Sequence, residues 1–230
     1  MTELELVIPC FNEAANLPTL LDDIQSIGDS IPVVFVLVDN GSSDETLSIL
    51  TQTARSNIRC LRIDANRGYG GGILAGLSTC TAPMVGWMHA DLQIRPSVLS
   101  QFDVHNASWC LIKGMRRGRK LDDRLFTAGM SLTETVLFKR KLSDINGQPT
   151  ILPRVWFEGL SNPPHDFSLD LFVYLRARQT GLPVVRFPVQ FGRRFAGVSS
   201  WNTGIKSRVR FIKRTLQYSL ELRRRDHENL

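Results

Sequence analysis

The chain has 230 residues, of which 43% are hydrophobic and 22% charged, with a formal net charge of +6 and a pI near 9.5. This length supports one medium domain with its own core, and the positive balance favours an anionic partner such as phosphate groups, nucleic acid or anionic lipid. Four widely spaced cysteines without a CxxC pair exclude a metal finger, and no apolar run is long enough to span a bilayer.

The start of the chain predicts a location inside the cell. A strand-like run begins at Leu4, and no secretory signal peptide is apparent before it. Without such a signal the cysteines are expected to stay reduced. We therefore expect a cytoplasmic protein.

Strands and helices alternate in the first half of the chain. Apolar runs predict buried strands at residues 4–8, 31–38, 58–63 and 84–88, and Pro9 stops the first of them. Helical spacing and helix-start signals predict helices over residues 17–27, 46–54 and 73–80. Such alternation is typical of a doubly wound α/β fold, with a site at the carboxyl ends of its strands.

Polar turns follow the first three strands. The first turn, residues 10–13, contains Asn12, which can cap the next helix, and the second covers residues 39–44. The third, residues 66–72, is rich in glycine. Glycines at a helix start let backbone N–H groups approach an anion, although a tight connection explains them equally well.

The fourth strand ends in His89, Ala90, Asp91 and Gln93. Alternate positions at a strand end point in one direction, and imidazole, carboxylate and amide oxygen all bind divalent cations. Taken alone, the stretch is explained as well by a strand that ends in a polar loop.

The second half predicts further strands at residues 109–113 and 184–191 and a helix over residues 171–179. Another helix is predicted by apolar positions between Leu125 and Leu137. Asp166 and Asp170 lie near the start of the helix at 171–179, where a carboxylate is favoured in any case, and either could instead line a site.

The last segment, residues 203–230, predicts a basic amphipathic helix that follows a catalytic domain over residues 1–202. The helix either lies on an anionic membrane or packs its apolar stripe on the domain. Its basic residues include Lys206, Arg208 and Arg210. Because the basic stretches lack interleaved aromatics, we do not expect a nucleic-acid partner.

The first turn separates two kinds of nucleotide-binding fold. Residues 9–13 hold no glycine, whereas a dinucleotide-binding Rossmann domain needs three in GxGxxG. The series VIPCFNEAANL, VLVDNGSSDET, NRGYGGG and HADLQ instead resembles the family 2 glycosyltransferases of GT-A fold. KGMRR, DINGQP, PPHDFSLDLF and FPVQFGRRFAGVSSW resemble their polyprenyl-phosphate branch, which includes dolichyl-phosphate mannose synthase-like enzymes.

The resemblance implies a mostly parallel sheet flanked by helices, with a nucleotide-sugar site at the strand ends. The residues it implies for nucleotide binding are Pro9, Phe11, Glu13, Asp39, Asn40, Asn66, Gly68, Gly71, Ala90 and Asp91. Phe11 stands where tyrosine is common, and Asn40 where a second aspartate is usual.

The metal site departs from the family pattern. The resemblance implies Mn²⁺ or Mg²⁺ on Asp91 and Gln93, but the usual Asp-x-Asp is His89-Ala90-Asp91 here. His89 could ligate Mn²⁺, contact the phosphates, or only form a local hydrogen bond. With fewer carboxylates, weaker Mg²⁺ binding is expected.

The resemblance also implies an inverting transfer from a nucleoside-diphosphate sugar to a polyprenyl phosphate of undecaprenyl or dolichyl type. The catalytic residues it implies are Asp91, Arg116, Arg194 and Asp170, with Arg193 as second choice for Arg194. The enzyme would then be peripheral at the inner membrane face, with a possible membrane protein partner. Two alternatives are a saccharide hydroxyl acceptor, with Asp166 or Asp170 as base, and a protein that binds nucleotide sugar without transfer.

Overall fold

The computed structural model describes residues 3–27, 31–53, 55–101, 109–196 and 205–228. A seven-stranded sheet in the order β3-β2-β1-β4-β6-β5-β7 forms its centre. The strands are Leu4–Cys10 (β1), Val33–Asn40 (β2), Ile58–Ile63 (β3), Met84–Trp87 (β4), Leu111–Arg117 (β5), Thr150–Pro153 (β6) and Val184–Gln190 (β7). Only β6 is antiparallel to its neighbours, β4 and β5. The predicted mostly parallel α/β sheet is therefore confirmed.

Helices cover both faces of the sheet. They are Leu17–Ile27 (α1), Thr46–Thr51 (α2), Gly68–Leu77 (α3), Leu121–Phe138 (α4), Arg154–Glu158 (α5), Leu169–Thr180 (α6) and Ile205–Glu228 (α7). Successive side chains of β1 point to opposite faces of the sheet, as in any pleated strand. Leu6 and Ile8 pack in the same cluster as α1, whereas Val7 packs with α3 and α6 on the other face.

Pro9 lies inside β1, so the prediction that it stops the strand is wrong. The strand extends to Cys10, and Pro9 is in register with Val38 of β2. β4 pairs with β1 only as far as Val7, whose carbonyl accepts a hydrogen bond from Met88. The backbone groups of Val7 face β4, and those of Pro9, two residues later, face the same side. Because β4 has ended at that point, the N–H that proline lacks would have no partner in the strand.

Other strands also differ from their predicted bounds. β2 includes Asp39 and Asn40, and β5 runs on through Arg116. β6 was not predicted, because four residues that end in proline give too short a pattern. Longer strands carry these polar side chains directly to the sheet edge.

The glycine-rich segment lies within α3 and not before it. The helix begins at Gly68 where Ile73 was predicted, and it ends at Leu77. A Cβ on Gly70 would lie 2.6 Å from the carbonyl oxygen of Pro164, and one on Gly76 would lie 2.4 Å from Val7 Cγ1. The glycines therefore allow close packing against a loop and a strand.

Asn12 does not cap α1, contrary to the prediction. Its φ is 56°, and its side-chain oxygen accepts a hydrogen bond from the Ser43 N–H at 2.9 Å. The side chain therefore joins the first and second polar turns, and α1 begins only at Leu17.

The end of the chain is described in part. Residues 197–204, which hold the end of the FPVQFGRRFAGVSSW motif and the predicted boundary after residue 202, lie outside the described residues, as do the side chains of Lys206, Arg208 and Arg210. None of the helices, as far as the chain is described, combines the length and apolar character needed to cross a membrane.

Candidate active site

A cleft of about 570 Å³ opens at the carboxyl ends of β1, β2 and β4. Its lining residues are Pro9, Phe11, Asn12, Glu13, Ala15, Asn16, Asn40, Asn66, Gly68, Tyr69, His89, Ala90, Asp91, Phe167 and Arg194. This volume is ordinary for a small-molecule site. Parallel strands end at one edge, which is why residues distant in sequence meet here.

Asp91 and Arg194 form an ion pair at the cleft. Arg194 Nη2 lies 2.9 Å from Asp91 Oδ2, and the Gln93 N–H donates to Asp91 Oδ1 at 3.1 Å. The backbone supports the pair, because Gly192 N–H donates to the carbonyl of Gln93 at 2.7 Å. The segment after β7 is thereby held beside the end of β4.

Glu13 adds a second carboxylate to this group. Burial raises the pKa of Glu13, and Asp91 adds to this, whereas the Asn16 side chain and Arg194 act in the opposite direction. Asn16 donates a hydrogen bond to the Glu13 carboxylate. With the carboxylates of Glu13 and Asp91 and the guanidinium of Arg194, this part of the cleft is suited to a cation or to a cation that is bound to phosphate groups.

Asn40 connects the end of β2 to the turn before α3. Its Nδ2 donates to the carbonyl of Gly68 at 3.0 Å, and its Oδ1 accepts from the Arg67 N–H at 3.1 Å. An aspartate could not make the first bond, since an ionised carboxylate only accepts. Asparagine at this position therefore fixes the cleft wall.

Asp39 and Gly71 do not line the cleft, although both were predicted to bind nucleotide. Asp39 is buried and accepts a hydrogen bond from the Ser42 N–H at 3.1 Å. The Gly71 N–H donates to the His165 carbonyl at 2.9 Å and is thus not available to a phosphate. The structure gives both residues a local role in holding turns.

His89 belongs to a group of three aromatic rings. Tyr69 stacks on Phe167 with centroids 4.5 Å apart, and its centroid lies 5.1 Å from that of His89. Burial lowers the pKa of His89, against the opposing charges of Asp91 and Asp170. The ring is therefore neutral near pH 7 and keeps a nitrogen lone pair.

Asp170 lies beneath these rings in a buried network. Lys113 Nζ donates to Asp170 Oδ1 at 3.2 Å and to Thr150 Oγ1 at 2.7 Å. Tyr69 Oη donates to Asp170 Oδ2 at 2.8 Å. Both members of the Lys113–Asp170 pair are almost wholly inaccessible to solvent. Asp170 thus holds Tyr69 in place, and it has no oxygen left without a partner.

Arg116 lies at a smaller pocket that adjoins the cleft through His89 and Phe167. Its guanidinium pairs with Asp144, as does that of Arg119 at 3.8 Å. Burial alone would raise the pKa of Asp144, but Arg116 and then Arg186 outweigh it and lower the pKa. One carboxylate facing three arginines leaves an excess of positive charge.

Arg116 and Arg119 also line a mostly apolar cavity of about 70 Å³ beside α4, whose lining includes the buried Glu134. Its apolar walls come from Phe126, Met130, Ile145 and Leu171. The Nε atom of Arg119 is buried without a hydrogen-bond partner among the described residues.

The side chains at the cleft offer ligand atoms that suit a divalent cation of the kind that also binds a diphosphate. Asp91 offers a carboxylate and His89 a neutral imidazole, a set that suits Mn²⁺ better than Mg²⁺. Gln93 donates through Nε2 to the Gly192 carbonyl at 3.4 Å. Within the described ranges, no three His, Cys, Asp or Glu residues come together to hold a metal ion.

Several residues at the site escaped sequence reasoning. Tyr69 stands within the glycine-rich motif but was not singled out, and Phe167 was named only as part of a motif. Lys113 carried a signal, since a lysine in an otherwise apolar strand needs a buried partner. That its partner is Asp170 depends on the pairing of β5 with β6 and β7, which the sequence pattern did not reveal.

Comparison with known proteins finds relatives over most of the chain. Residues 5–123, slightly more than half of it, match the family model described as Glycosyl transferase family 2. Undecaprenyl-phosphate 4-deoxy-4-formamido-L-arabinose transferase of Sodalis glossinidius is 25% identical over 207 residues, which cover 87% of this chain and 63% of that protein. The protein of the same name from Yersinia pestis is 28% identical over 190 residues, covering 80% of this chain and 55% of that protein. The chain thus spans less than two thirds of the length of these relatives.

Solved structures share the fold. Glucosyl-3-phosphoglycerate synthase from Mycobacterium tuberculosis, in complex with Mn²⁺, uridine diphosphate and glucosyl-3-phosphoglycerate, matches with a TM-score of 0.69 at 17% identity, covering 96% of this chain and 80% of that chain. A complex of the same protein with Mg²⁺ and uridine diphosphate has a TM-score of 0.69 at 16% identity, covering 95% and 79%. The predicted GT-A arrangement is therefore confirmed.

Proposed function

The chain belongs to glycosyltransferase family 2, and from this premise we propose that it transfers a sugar from a nucleoside-diphosphate sugar to a polyprenyl phosphate, with inversion. The observation that carries the acceptor class is the position of Arg116 and Arg119 at the edge of an apolar cavity. An isoprenoid phosphate has the matching chemistry, an anionic head on an apolar chain.

The cleft supports the donor half of the proposal. Phe11 is 44% exposed at its wall and offers a ring on which a base can stack. Arg194 offers a planar donor fork to the diphosphate, for which it would exchange its contact with Asp91. A divalent cation held by Asp91 and His89, with Gln93 nearby, would supply further charge neutralisation for the leaving nucleotide.

The cleft and the smaller pocket at Arg116 together suggest the direction from which the acceptor attacks the donor. They share His89 and Phe167, so an acceptor at Arg116 lies next to a donor in the cleft. A phosphate oxygen attacks the anomeric carbon, the bond from that carbon to the diphosphate oxygen breaks, and the nucleoside diphosphate leaves with the bonding electrons. Arg194 stabilises the negative charge that develops on it.

A phosphate acceptor explains why a free catalytic base is not needed. The second pKa of a phosphate monoester is about 6, so its oxygen is already ionised near pH 7. A hydroxyl acceptor would need a base, and the two candidates are engaged. Asp170 is paired with Lys113, and Asp166 accepts from the Ser168 N–H at 2.9 Å and lies 3.6 Å from Arg214.

We extend the proposal to the organisation of the chain. Residues 1–202 form the catalytic domain, and residues 203–230 support its acceptor side. α7 contacts that side through Ser219, whose hydroxyl donates to Glu134 at 2.9 Å, and through Arg214, which lies over the Phe167 ring. A lipid acceptor would bring the enzyme to the inner face of the membrane, where a membrane protein could receive its product.

The test is transfer of radiolabelled sugar from a panel of nucleotide sugars to polyprenyl phosphate, with Mn²⁺ present and the product counted in the organic phase. We expect label to appear there and to be lost in Asp91→Ala. Arg116→Gln should raise the KM for the acceptor about tenfold and leave the KM for the donor unchanged, since it removes one charge-assisted contact.

Arg117 provides the matched control, because it is the exposed neighbour of Arg116 on β5. Arg117→Gln should leave both KM values unchanged. Label that appears only on water-soluble saccharides, or an acceptor KM that Arg116→Gln does not alter, would contradict the proposal.

A further inference from the structure

The outer face of α4 carries an apolar stripe that nothing in the described chain covers. Leu121, Leu125, Leu132 and Val136 are 64% to 69% exposed. With Ala128, which is also exposed, they follow one another at intervals of three or four residues. At 3.6 residues per turn they fall within about 80° of the helix circumference. Isolated exposed leucines are common, but a continuous stripe of this length marks an interaction surface.

The opposite face of α4 faces the apolar cavity that Arg116 and Arg119 line. Phe126 and Met130 line that cavity, on the side of α4 away from the stripe. α4 therefore separates the apolar cavity from the exposed apolar stripe. If the stripe lay on a bilayer, only α4 would separate that bilayer from the cavity that an apolar acceptor chain would enter.

The charges around the stripe favour an anionic surface. Lys120 and Arg124 are exposed at the start of α4, and Lys139, Arg140 and Lys141 are exposed just beyond its end. Residues 117–141 contain seven basic and three acidic residues, and one of the acids, Glu134, is fully buried. A helix with an apolar stripe and basic residues at both ends is suited to lie flat in the interface of an anionic bilayer.

α7, the other candidate for this role, is engaged with the domain. Ser219 and Leu222 are buried, and Asp226 pairs with Arg176 of α6 at 2.8 Å. Of its described apolar residues, Leu222 is buried and Ile212 and Leu216 are half-buried, whereas Val209 and Leu220 are exposed. The exposed apolar surface of α7, as far as the structure describes it, is thus less continuous than the stripe on α4.

We propose that α4 docks the protein on an anionic bilayer through Leu121, Leu125, Leu132 and Val136. A second copy of the chain is the competing occupant, but it would bring the basic clusters of two α4 helices towards each other. This inference rests on the proposed function only for the identity of the acceptor, because binding to a bilayer can be measured without transfer.

The test is flotation of the 230-residue chain with vesicles of phosphatidylglycerol and phosphatidylcholine, and with vesicles of phosphatidylcholine alone. We expect binding to the anionic vesicles and at least tenfold weaker binding to the neutral ones. The double variant Leu125→Asn/Leu132→Asn should bind anionic vesicles at least tenfold more weakly than the natural chain. Val155→Asn/Val185→Asn, which alters exposed valines on α5 and β7, should bind as the natural chain does.

Equal binding of both double variants would overturn the proposal. So would sedimentation equilibrium that shows a dimer dissociated by Leu125→Asn/Leu132→Asn, together with unchanged vesicle binding. Transfer to a water-soluble short-chain isoprenyl phosphate, without vesicles, separates the two hypotheses. The natural chain and Leu125→Asn/Leu132→Asn should be equally active there, and inactivity of both would sink the proposed function while the docking result stands.

Discussion

Arg194 and Asp91 are 103 positions apart in the chain, yet Arg194 Nη2 lies 2.9 Å from Asp91 Oδ2. Asp91 follows β4 and Arg194 follows β7, and backbone hydrogen bonds between their segments hold the two together. The Asp91 carboxylate, which would hold a cation, thus contacts the Arg194 guanidinium, which would hold a diphosphate. Binding of a nucleotide diphosphate with its cation would therefore break this ion pair and give each side chain a new partner.

Replacement of Arg194 by lysine should lower kcat by about 10²-fold, the usual effect of removing one preorganised donor to developing charge. Lysine keeps the positive charge but loses the planar fork that can bind two oxygens at once. Steady-state kinetics with saturating acceptor would measure the change.

Arg193→Lys serves as the control for this prediction. Arg193 is exposed, and it is not part of the cleft lining. Its replacement should alter kcat less than twofold, in keeping with a solvated charge. Equal losses in the two variants would show that the segment needs arginines for another reason than contact at the cleft.

The sequence predicted the central strands β1, β2 and β4 because their apolar runs are buried on both faces. It also predicted that Glu13, Asn40, His89 and Asp91 meet at one sheet edge, as they do. Periodicity and topology predict that the strand ends meet, since parallel strands end on the same side, whereas the resemblance to family 2 glycosyltransferases singled out Glu13 and Asn40.

Two of the predicted site residues make contacts that no local pattern encodes. Gly71 was predicted to bind nucleotide, and its N–H donates to the carbonyl of His165, in a loop beginning near Pro163 that approaches α3. Asp170 was predicted to be catalytic, and it pairs with Lys113 from another strand. In both cases the partner comes from a distant segment, whose position depends on the complete sheet.

The buried Lys113–Asp170 pair predicts a large and asymmetric effect on stability. Burial lowers the pKa of Lys113, and Asp170 opposes that shift. Lys113→Met would leave the Asp170 carboxylate buried without its cation, so we expect the free energy of unfolding to fall by about 3–5 kcal/mol. Urea denaturation followed by circular dichroism would measure it.

The double variant Lys113→Met/Asp170→Asn tests the electrostatic cause. Because asparagine carries no charge, the double variant should be more stable than Lys113→Met alone. If the second substitution instead adds its own full cost, the loss in Lys113→Met arises from packing and not from an uncompensated charge.

Glu134 predicts a dependence of stability on pH. Burial raises the pKa of Glu134 from 4.5 to about 7, against the opposing hydrogen bond of Ser219. The folded chain then binds this proton more tightly than the unfolded chain does. Its contribution to stability is fully present below pH 4.5, falls as the pH rises, and is lost above about 7. The total is about 3 kcal/mol, at about 1.4 kcal/mol per pKa unit.

Glu134→Gln should remove this dependence. Relative to the natural chain, the variant should gain free energy of unfolding between about pH 4.5 and pH 7, as measured by urea denaturation, and the difference should level off at higher pH. Glu158→Gln, at a carboxylate that is 54% exposed on α5, removes a carboxyl group outside the core and serves as the matched control. A Glu134→Gln difference that does not vary with pH would mean that the carboxyl of Glu134 titrates normally.

His89 predicts an unusual choice of metal. Its neutral imidazole stands beside Asp91 where the resemblance would have a second carboxylate, and hard oxygen donors favour Mg²⁺. His89→Asp should therefore raise the affinity for nucleoside diphosphate with Mg²⁺ about tenfold relative to that with Mn²⁺, in titration calorimetry. His165→Asp adds the same charge at an exposed position outside the cleft and should leave the ratio unchanged. If the ratio of the two affinities is the same in His89→Asp and the natural chain, His89 is not a ligand, and its contact with Tyr69 is what remains to explain its place in the site.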